Sequence, residues 1–169
     1  MFCRSYLAHI CWMLGQGERA VTTAQEAIAA AREVGHPFSM AIALDYAAML
    51  HVFARESKAA LERANEAVAL CRKYDFAYYL AIAEILAGWA QTLEGEGEAG
   101  LLQLRQGLDH LRATGAEIRL PFYHGLLAEA CAATGRAGEA LANVSNALAY
   151  QNKNGESWAE SYLRGLHVG

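Results

Sequence analysis

Apolar and small residues recur along this chain at helical spacing, and the whole pattern repeats every 40 residues. Within one stretch they fall at i, i+4, i+7 and i+8, which places them on one face of a helix. Four stretches align without a gap, and their shared small positions are Ala20/Ala60/Gly100/Ala140 and Ala27/Ala67/Gly107/Ala147. A fixed period of this length predicts stacked supersecondary units.

Each unit is predicted to contain two helices, a first helix A and a second helix B. We expect the B helices at about Glu18–Val34, Lys58–Tyr74, Glu98–Thr114 and Ala137–Asn152. We expect the A helices at about Phe2–Leu14, Pro37–Ala54, Phe76–Leu93 and Ile118–Thr134. The A-to-B connection carries Gly15, Gly95 and Gly135 at one aligned position, with Arg55 as the exception. Glycine just beyond a helix is a common left-handed stop, so these residues are predicted to end the A helices.

Antiparallel helix pairs joined by short loops and stacked along one axis form an α-solenoid. The sequence therefore predicts a single all-α domain over residues 1–169, a right-handed α-solenoid of four helix pairs plus a final helix. The units are about 1–35, 36–75, 76–115 and 116–155. The first helix A lacks its opening turns, and 156–169 matches only the front of a helix A. That last helix is either a cap or the edge of a longer array.

The small positions carry a resemblance to the tetratricopeptide (TPR) repeat. That family places small residues twice on helix B and once on helix A, and in the first unit these positions hold Ala8, Ala20 and Ala27. The period here is 40 residues rather than the family's usual 34, so the helices are longer. The family's proline near the end of helix B is replaced by Arg32, Arg72, Arg112 and Asn152. The resemblance implies a TPR-like superhelix that binds a protein or peptide.

Longer phrases such as GHPFSMAIALDYAAMLH and PFYHGLLAEACAATGRAGEAL extend the resemblance. They are similar to the C-terminal repeat region of large bacterial signalling ATPases, nucleotidyl cyclases and related transcription regulators. That similarity implies a regulatory or scaffold segment of a cytoplasmic bacterial signalling protein. No residue in the chain matches an ATPase or cyclase motif.

The amino-acid composition and the net charge argue against several classes of partner. Apolar residues make up 54% of the chain and charged residues 19%, which argues against disorder. The net charge is −4 and only three lysines occur, so a nucleic-acid partner is not expected. No apolar run reaches the ~18 residues needed to span a bilayer, so no membrane association is expected. The four cysteines are scattered without a CxxC pair and are predicted to be buried, reduced thiols, Cys3, Cys11, Cys71 and Cys131.

Motifs that carry chemistry are absent from the sequence. There is no phosphate-binding loop, no HExxH and no GxSxG, and the six histidines show no metal-ligand spacing. The Gly-rich stretch at 95–100 lies in an A-to-B turn, and its acidic residues would repel phosphate. We therefore predict that the chain is not an enzyme and has no catalytic residue, metal site or cofactor.

The inner face of the A helices is the candidate binding site. Aromatic and apolar residues with few charges are predicted to line it, a composition typical of peptide-binding grooves. Two alternatives stay open, a groove filled as core and an inner cavity that senses an apolar small-molecule effector. The candidate groove residues are Phe2, His9, Trp12, Ile42, Asp45, Met49, Val52, Ile85, Trp89, Phe122 and Glu129.

The first helix carries a second candidate surface. Terminal units of a solenoid need a polar outer face, and this helix does not supply one. A second copy of the chain, or a preceding repeat in a longer parent, would cover the apolar patch. A homodimer is therefore predicted, with self-association candidates Phe2, Tyr6, Leu7, Ile10 and Met13.

Overall fold

The computed structural model describes residues 2–155 and 158–168, and in this part of the chain every regular element is an α-helix. The A helices are α1 (Phe2–Met13), α3 (Pro37–Phe53), α5 (Ala77–Leu93) and α7 (Leu120–Ala133). The B helices are α2 (Gly17–Val34), α4 (Ser57–Tyr74), α6 (Gly97–Ala113) and α8 (Ala137–Asn154). A final helix α9 spans Glu160–Val168. This order confirms the predicted α-solenoid of helix pairs.

Local sequence explains where the helices begin and end. Pro37 occupies the first turn of α3, where its missing N–H leaves no bond unmade. The A-to-B turns adopt the left-handed conformation, including Arg55 at φ 61°, so a non-glycine residue there follows the glycine pattern of the other units. Helix α7 starts at Leu120 rather than at the predicted Ile118. An earlier start would bring the ring of Pro121 against the carbonyl of residue 117 inside the helix.

The small positions set the distance between the paired helices, most closely between α5 and α6. A Cβ added to Gly88 would lie 2.4 Å from the backbone nitrogen of Leu104, and one added to Gly100 would lie 2.5 Å from that of Thr92. Only glycine permits this approach. The other three pairs carry alanine at both positions and are more widely spaced.

The helices form two layers. Successive A helices contact one another, whereas no two B helices do so within the described residues. Each B helix buries one face, as α4 does with Ala60, Ala64, Ala67 and Cys71, and leaves a polar outer face. The middle A helices α3 and α5 are buried on nearly all sides. The A helices are therefore the inner layer of the solenoid, and the core lies between the two layers.

Helix α9 occupies the place of a fifth helix A. It packs against α7 and α8, and Leu163 is fully buried there. A Cβ on Gly125 of α7 would meet Tyr162 and Leu163, so this glycine admits α9. In the part of the chain that the structure describes, no helix combines the length and apolar character needed to cross a bilayer.

Candidate functional site

The inner layer encloses three adjoining cavities. The central cavity has a volume of about 780 Å³ and is lined by residues of α1, α3, α7 and α9 with the segment just before α9. A cavity of about 360 Å³ adjoins it and shares Arg55, Glu129 and Leu166 with it. A cavity of about 180 Å³ lies on the other side and shares Phe53 and Trp158. Because neighbouring cavities share lining residues, the three lie in a row along the inner layer, from α1 to α8, and this row is called the path below.

Aromatic side chains from distant parts of the sequence form the wall of the central cavity. Phe122 lies 5.4 Å from Phe53, 5.3 Å from Trp158 and 5.6 Å from Tyr162, measured between ring centroids. Phe53 also contacts Trp158 at 6.2 Å. Two of these contacts are edge-to-face and two are tilted, and aromatic pairs of this kind add stability beyond their buried area.

An ion pair lies beside this aromatic wall. Nη1 of Arg55 donates to both carboxylate oxygens of Glu129 at 2.7 Å, and Nε1 of Trp89 donates to Oε2 at 2.7 Å. The Glu129 side chain is 8% exposed, whereas that of Arg55 is 58% exposed. The buried carboxylate is thus compensated from two sides, as burial of a charge requires. The hydroxyl of Tyr162 is also buried here, and burial followed by the charge of Glu129 raises its pKa.

A second cation lies at the α1 end of the path. The guanidinium of Arg119 lies 4.9 Å from the ring centroid of Tyr46, 5.9 Å from Tyr6 and 6.0 Å from Trp158. These distances are within the range of cation–π attraction. Arg119 directly precedes α7 and has the left-handed backbone conformation, at φ 64°.

Two buried titratable groups lie close to this region. Nε2–H of His9 donates to the carbonyl of Tyr46 at 2.8 Å, and burial lowers the pKa of His9 to about 4. Asp45 is 1% exposed, and neither carboxylate oxygen has a hydrogen-bond partner. Burial therefore raises the pKa of Asp45 well above its usual value. Both groups favour their neutral forms, so neither presents a charge to a ligand.

The structure divides the predicted groove residues into three groups. Trp12, Val52, Phe122 and Glu129 line the central cavity, and His9 lines the smaller cavity beside it. Phe2 lines none of the three cavities and is 49% exposed, with its ring against Tyr6 and Tyr46. The other five are buried between helices, which corrects their placement on an accessible groove: Ile42, Asp45, Met49, Ile85 and Trp89. The A helices converge inside the curve, so most of their inner residues become core. A binding role for the cavity-lining residues stays a prediction.

Sequence reasoning placed Met13 on the self-association surface alone and missed seven other residues that line the central cavity: Phe53, Arg55, Trp158, Ala159, Tyr162, Gly165 and Leu166. Arg55 had a detectable signal, because it replaces glycine at a position where three other units keep it. The others had none, since their contacts join residues that are far apart in the sequence. The prediction for the cysteines also needs one correction: Cys11, Cys71 and Cys131 are buried free thiols, whereas Cys3 is exposed.

The described residues contain no cluster of three or more His, Cys, Asp or Glu side chains placed to hold a metal ion. The predicted self-association residues Phe2, Tyr6, Leu7, Ile10 and Met13 are between 37% and 56% exposed.

The architecture is that of a TPR-like α-solenoid. Two solved structures of a candidate kinesin light chain from Podosopora anserina, described as having nearly identical TPR-like repeats, superpose on it with a TM-score of 0.65 in each case. Their identities to this chain are 20% and 19%. The superpositions cover 92% and 90% of this chain, and 76% and 75% of the other. No family profile and no curated protein sequence matches the chain. The comparison shows the fold alone.

Proposed function

We propose that this chain is a non-catalytic protein-interaction module, and that its central cavity receives bulky apolar side chains of a bound protein segment. The observation that carries the proposal is the central cavity itself, with its wall of Phe53, Phe122 and Trp158 and the adjoining ion pair. Aromatic anchor sites surrounded by a few fixed polar groups are typical of hot spots in protein interfaces.

The extended shape of the path favours a polypeptide. The central cavity has a smaller cavity at each side, so a bound segment several residues long would place successive side chains in successive cavities. The walls come from helices that hold one another in place, and the Arg55–Glu129 pair joins the second unit to the fourth. A site built in advance in this way lowers the ordering cost of binding.

A phage library of random 12-residue peptides tests the proposal. We expect the protein to select peptides rich in bulky apolar side chains, and Leu166→Lys to weaken their binding at least tenfold, because it puts a charge into the path. Leu102→Lys provides the matched control, since Leu102 is 59% exposed on α6 in the outer layer. Selected peptides that bind both variants equally, or a library that yields no binder, would contradict the proposal.

The volume of the central cavity favours a second candidate, an effector-sensing domain that binds an apolar small molecule. About 780 Å³ lies within the range of small-ligand sites. Solvent extraction of the purified protein followed by mass spectrometry distinguishes the two functions. A stoichiometric apolar compound that Leu166→Lys fails to retain would favour the effector. Its absence, together with peptide selection, would favour the interaction module.

The cellular setting is proposed on the sequence resemblance. We place the module in the cytoplasm, as the regulatory or scaffold segment of a bacterial signalling protein. A gene that encodes these repeats beside an ATPase or nucleotidyl-cyclase domain would support that setting. A gene product with an unrelated domain beside them would contradict it.

A further inference from the structure

Helix α1 presents an entirely apolar face to solvent. Its large exposed side chains are 37–67% accessible. At 3.6 residues per turn they and Cys3 fall within an arc of about 140°. Arg4 is the one charged residue of α1 and lies outside that arc. The members of this α1 face are Phe2, Cys3, Tyr6, Leu7, Ile10, Met13 and Leu14.

The other A helices show how such a helix is normally covered. Helix α3 contacts α1 on one side and α5 on the other, and α5 lies in the same way between α3 and α7. A helix that is apolar all round is one that is buried all round. Helix α1 is apolar over the whole arc that an inner-layer neighbour would cover, yet in the described structure it packs only against the helices α2 and α3. The chain therefore leaves one face of an inner-layer helix open.

The size of the open face is that of half a protein interface. The large side chains of the α1 face expose roughly 600 Å², the upper end of what an ordinary monomer leaves as a single apolar patch. Two such faces pressed together would bury on the order of 1,200 Å², which reaches the lower limit of specific interfaces.

The spacing of the face is self-complementary. Cys3, Leu7, Ile10 and Leu14 follow each other at intervals of four, three and four residues, which is the apolar repeat of a two-helix seam. The backbone N–H of Leu14 donates to the carbonyl of Ile10 at 3.0 Å, so the helical arrangement continues to that residue.

We propose that two copies of this chain associate through α1, antiparallel across a two-fold axis midway between Leu7 and Ile10. Leu7 then packs against Ile10 of the partner subunit, and Leu14 packs against Cys3 of the partner subunit. Each contact occurs twice, as two-fold symmetry requires. The seam borders the cavities of the inner layer: Met13 of the α1 face lines the central cavity, and Ile10 lines the smaller cavity beside it, so we expect the dimer to cover the α1 end of the inner layer.

Sedimentation velocity tests the association. We expect the chain to be mostly dimeric at 100 µM and to dissociate on dilution, because an interface at the lower size limit is typical of weak association, for which we expect a dissociation constant on the order of micromolar. Leu7→Lys and Ile10→Glu are each expected to weaken the dimer at least tenfold while the melting temperature of the monomer stays within a few degrees. Leu102→Lys, a matched substitution on α6, should leave the dimer unchanged.

Mixing the two variants tests the antiparallel register. In a mixed dimer, Lys at position 7 of one chain meets Glu at position 10 of the other. The symmetry-related contact, between Ile10 of the first chain and Leu7 of the second, is unchanged. Equal amounts of the two variants should therefore recover a dimer that neither forms alone. A wild-type monomer at 100 µM would overturn the proposal, and a mixture that stays monomeric would overturn the antiparallel arrangement.

Discussion

At the scale of single residues, the presence or absence of a charged partner distinguishes the buried titratable side chains. His9 and Asp45 lie in the inner layer, and burial shifts both pKa values toward the neutral form. Glu129 is buried as well, but Arg55 and Trp89 compensate it. The interior thus contains carboxylates with charged partners beside groups whose burial favours the neutral form, and the second kind makes stability depend on pH.

His9 is expected to destabilise the fold in acid. Its pKa is about 4 in the folded protein and 6.5 in the unfolded chain, so the unfolded state binds the proton more tightly. The stability contributed by neutral His9 is complete above pH 6.5 and is lost as the pH falls toward 4. Between pH 7 and pH 5 the loss is about 2 kcal/mol in the free energy of unfolding.

Urea denaturation at pH 7 and pH 5 measures this effect. The difference between the two pH values should shrink by most of that amount in His9→Gln, which cannot titrate. His36→Gln is the control, because His36 is exposed before α3. An equal pH dependence in wild type and His9→Gln would show that His9 accepts a proton without cost in the folded state.

At the scale of elements, the repeat prescribes small residues at the contacts between paired helices, but the distance differs between pairs. The third unit carries glycine at positions where the other three have alanine, namely Gly88 and Gly100. Its two helices have moved together until no Cβ fits between them. Alanine therefore fits these positions in the other three units, but its Cβ does not fit in the third.

Gly88→Ala is therefore expected to destabilise the protein by about 2 kcal/mol, although alanine is the better helix former. The added Cβ would meet backbone atoms of α6, which can move only if the helix pair separates. Gly138→Ala is the control, because a Cβ there meets nothing within 4 Å. Thermal unfolding should show a lower melting temperature for Gly88→Ala and an equal or higher one for Gly138→Ala. Equal effects would mean that the α5–α6 pair is less tight than described.

At the scale of the whole molecule, contacts between non-adjacent repeat units stabilise the curvature of the solenoid. Arg55 in the second unit bonds Glu129 in the fourth, and Phe53 of α3 contacts Trp158 just before α9. A second buried carboxylate, Glu84 of α5, joins Arg72 of α4 at 3.0 Å and His110 of α6 at 2.6 Å. The middle helices are therefore held by contacts with neighbours on both sides, whereas the helices at the two ends have neighbours on one side only.

Hydrogen exchange should follow this difference. Amides of α5 and α6 are expected to exchange slowest, close to the rate of global unfolding, and those of α1 and α9 fastest, because solenoid stability is a sum over neighbours. Exchange mass spectrometry measures it on Leu7→Lys at about 1 µM, because a dimer weakened at least tenfold is mostly dissociated at that concentration. Uniform protection from α1 to α9 would indicate a single cooperative unit instead.

The amino-acid sequence by itself determined the helices and their pairing. No predicted boundary of α1 to α8 differs from the structure by more than two residues, because helical periodicity and turn glycines act over a few residues. The shift at α7 is also local, since Pro121 alone explains it. The aligned small residues identified the contacts within each pair, because one period maps every unit onto the next.

Only the tertiary structure decided which inner residues are core and which line a cavity. Trp89 and Glu129 occupy the same register position 40 residues apart, yet Trp89 is fully buried and Glu129 faces the central cavity. The outcome depends on how tightly the A helices curve together. That curvature is set by long-range contacts, such as the one between Arg55 and Glu129 across 74 residues, and no local pattern encodes them.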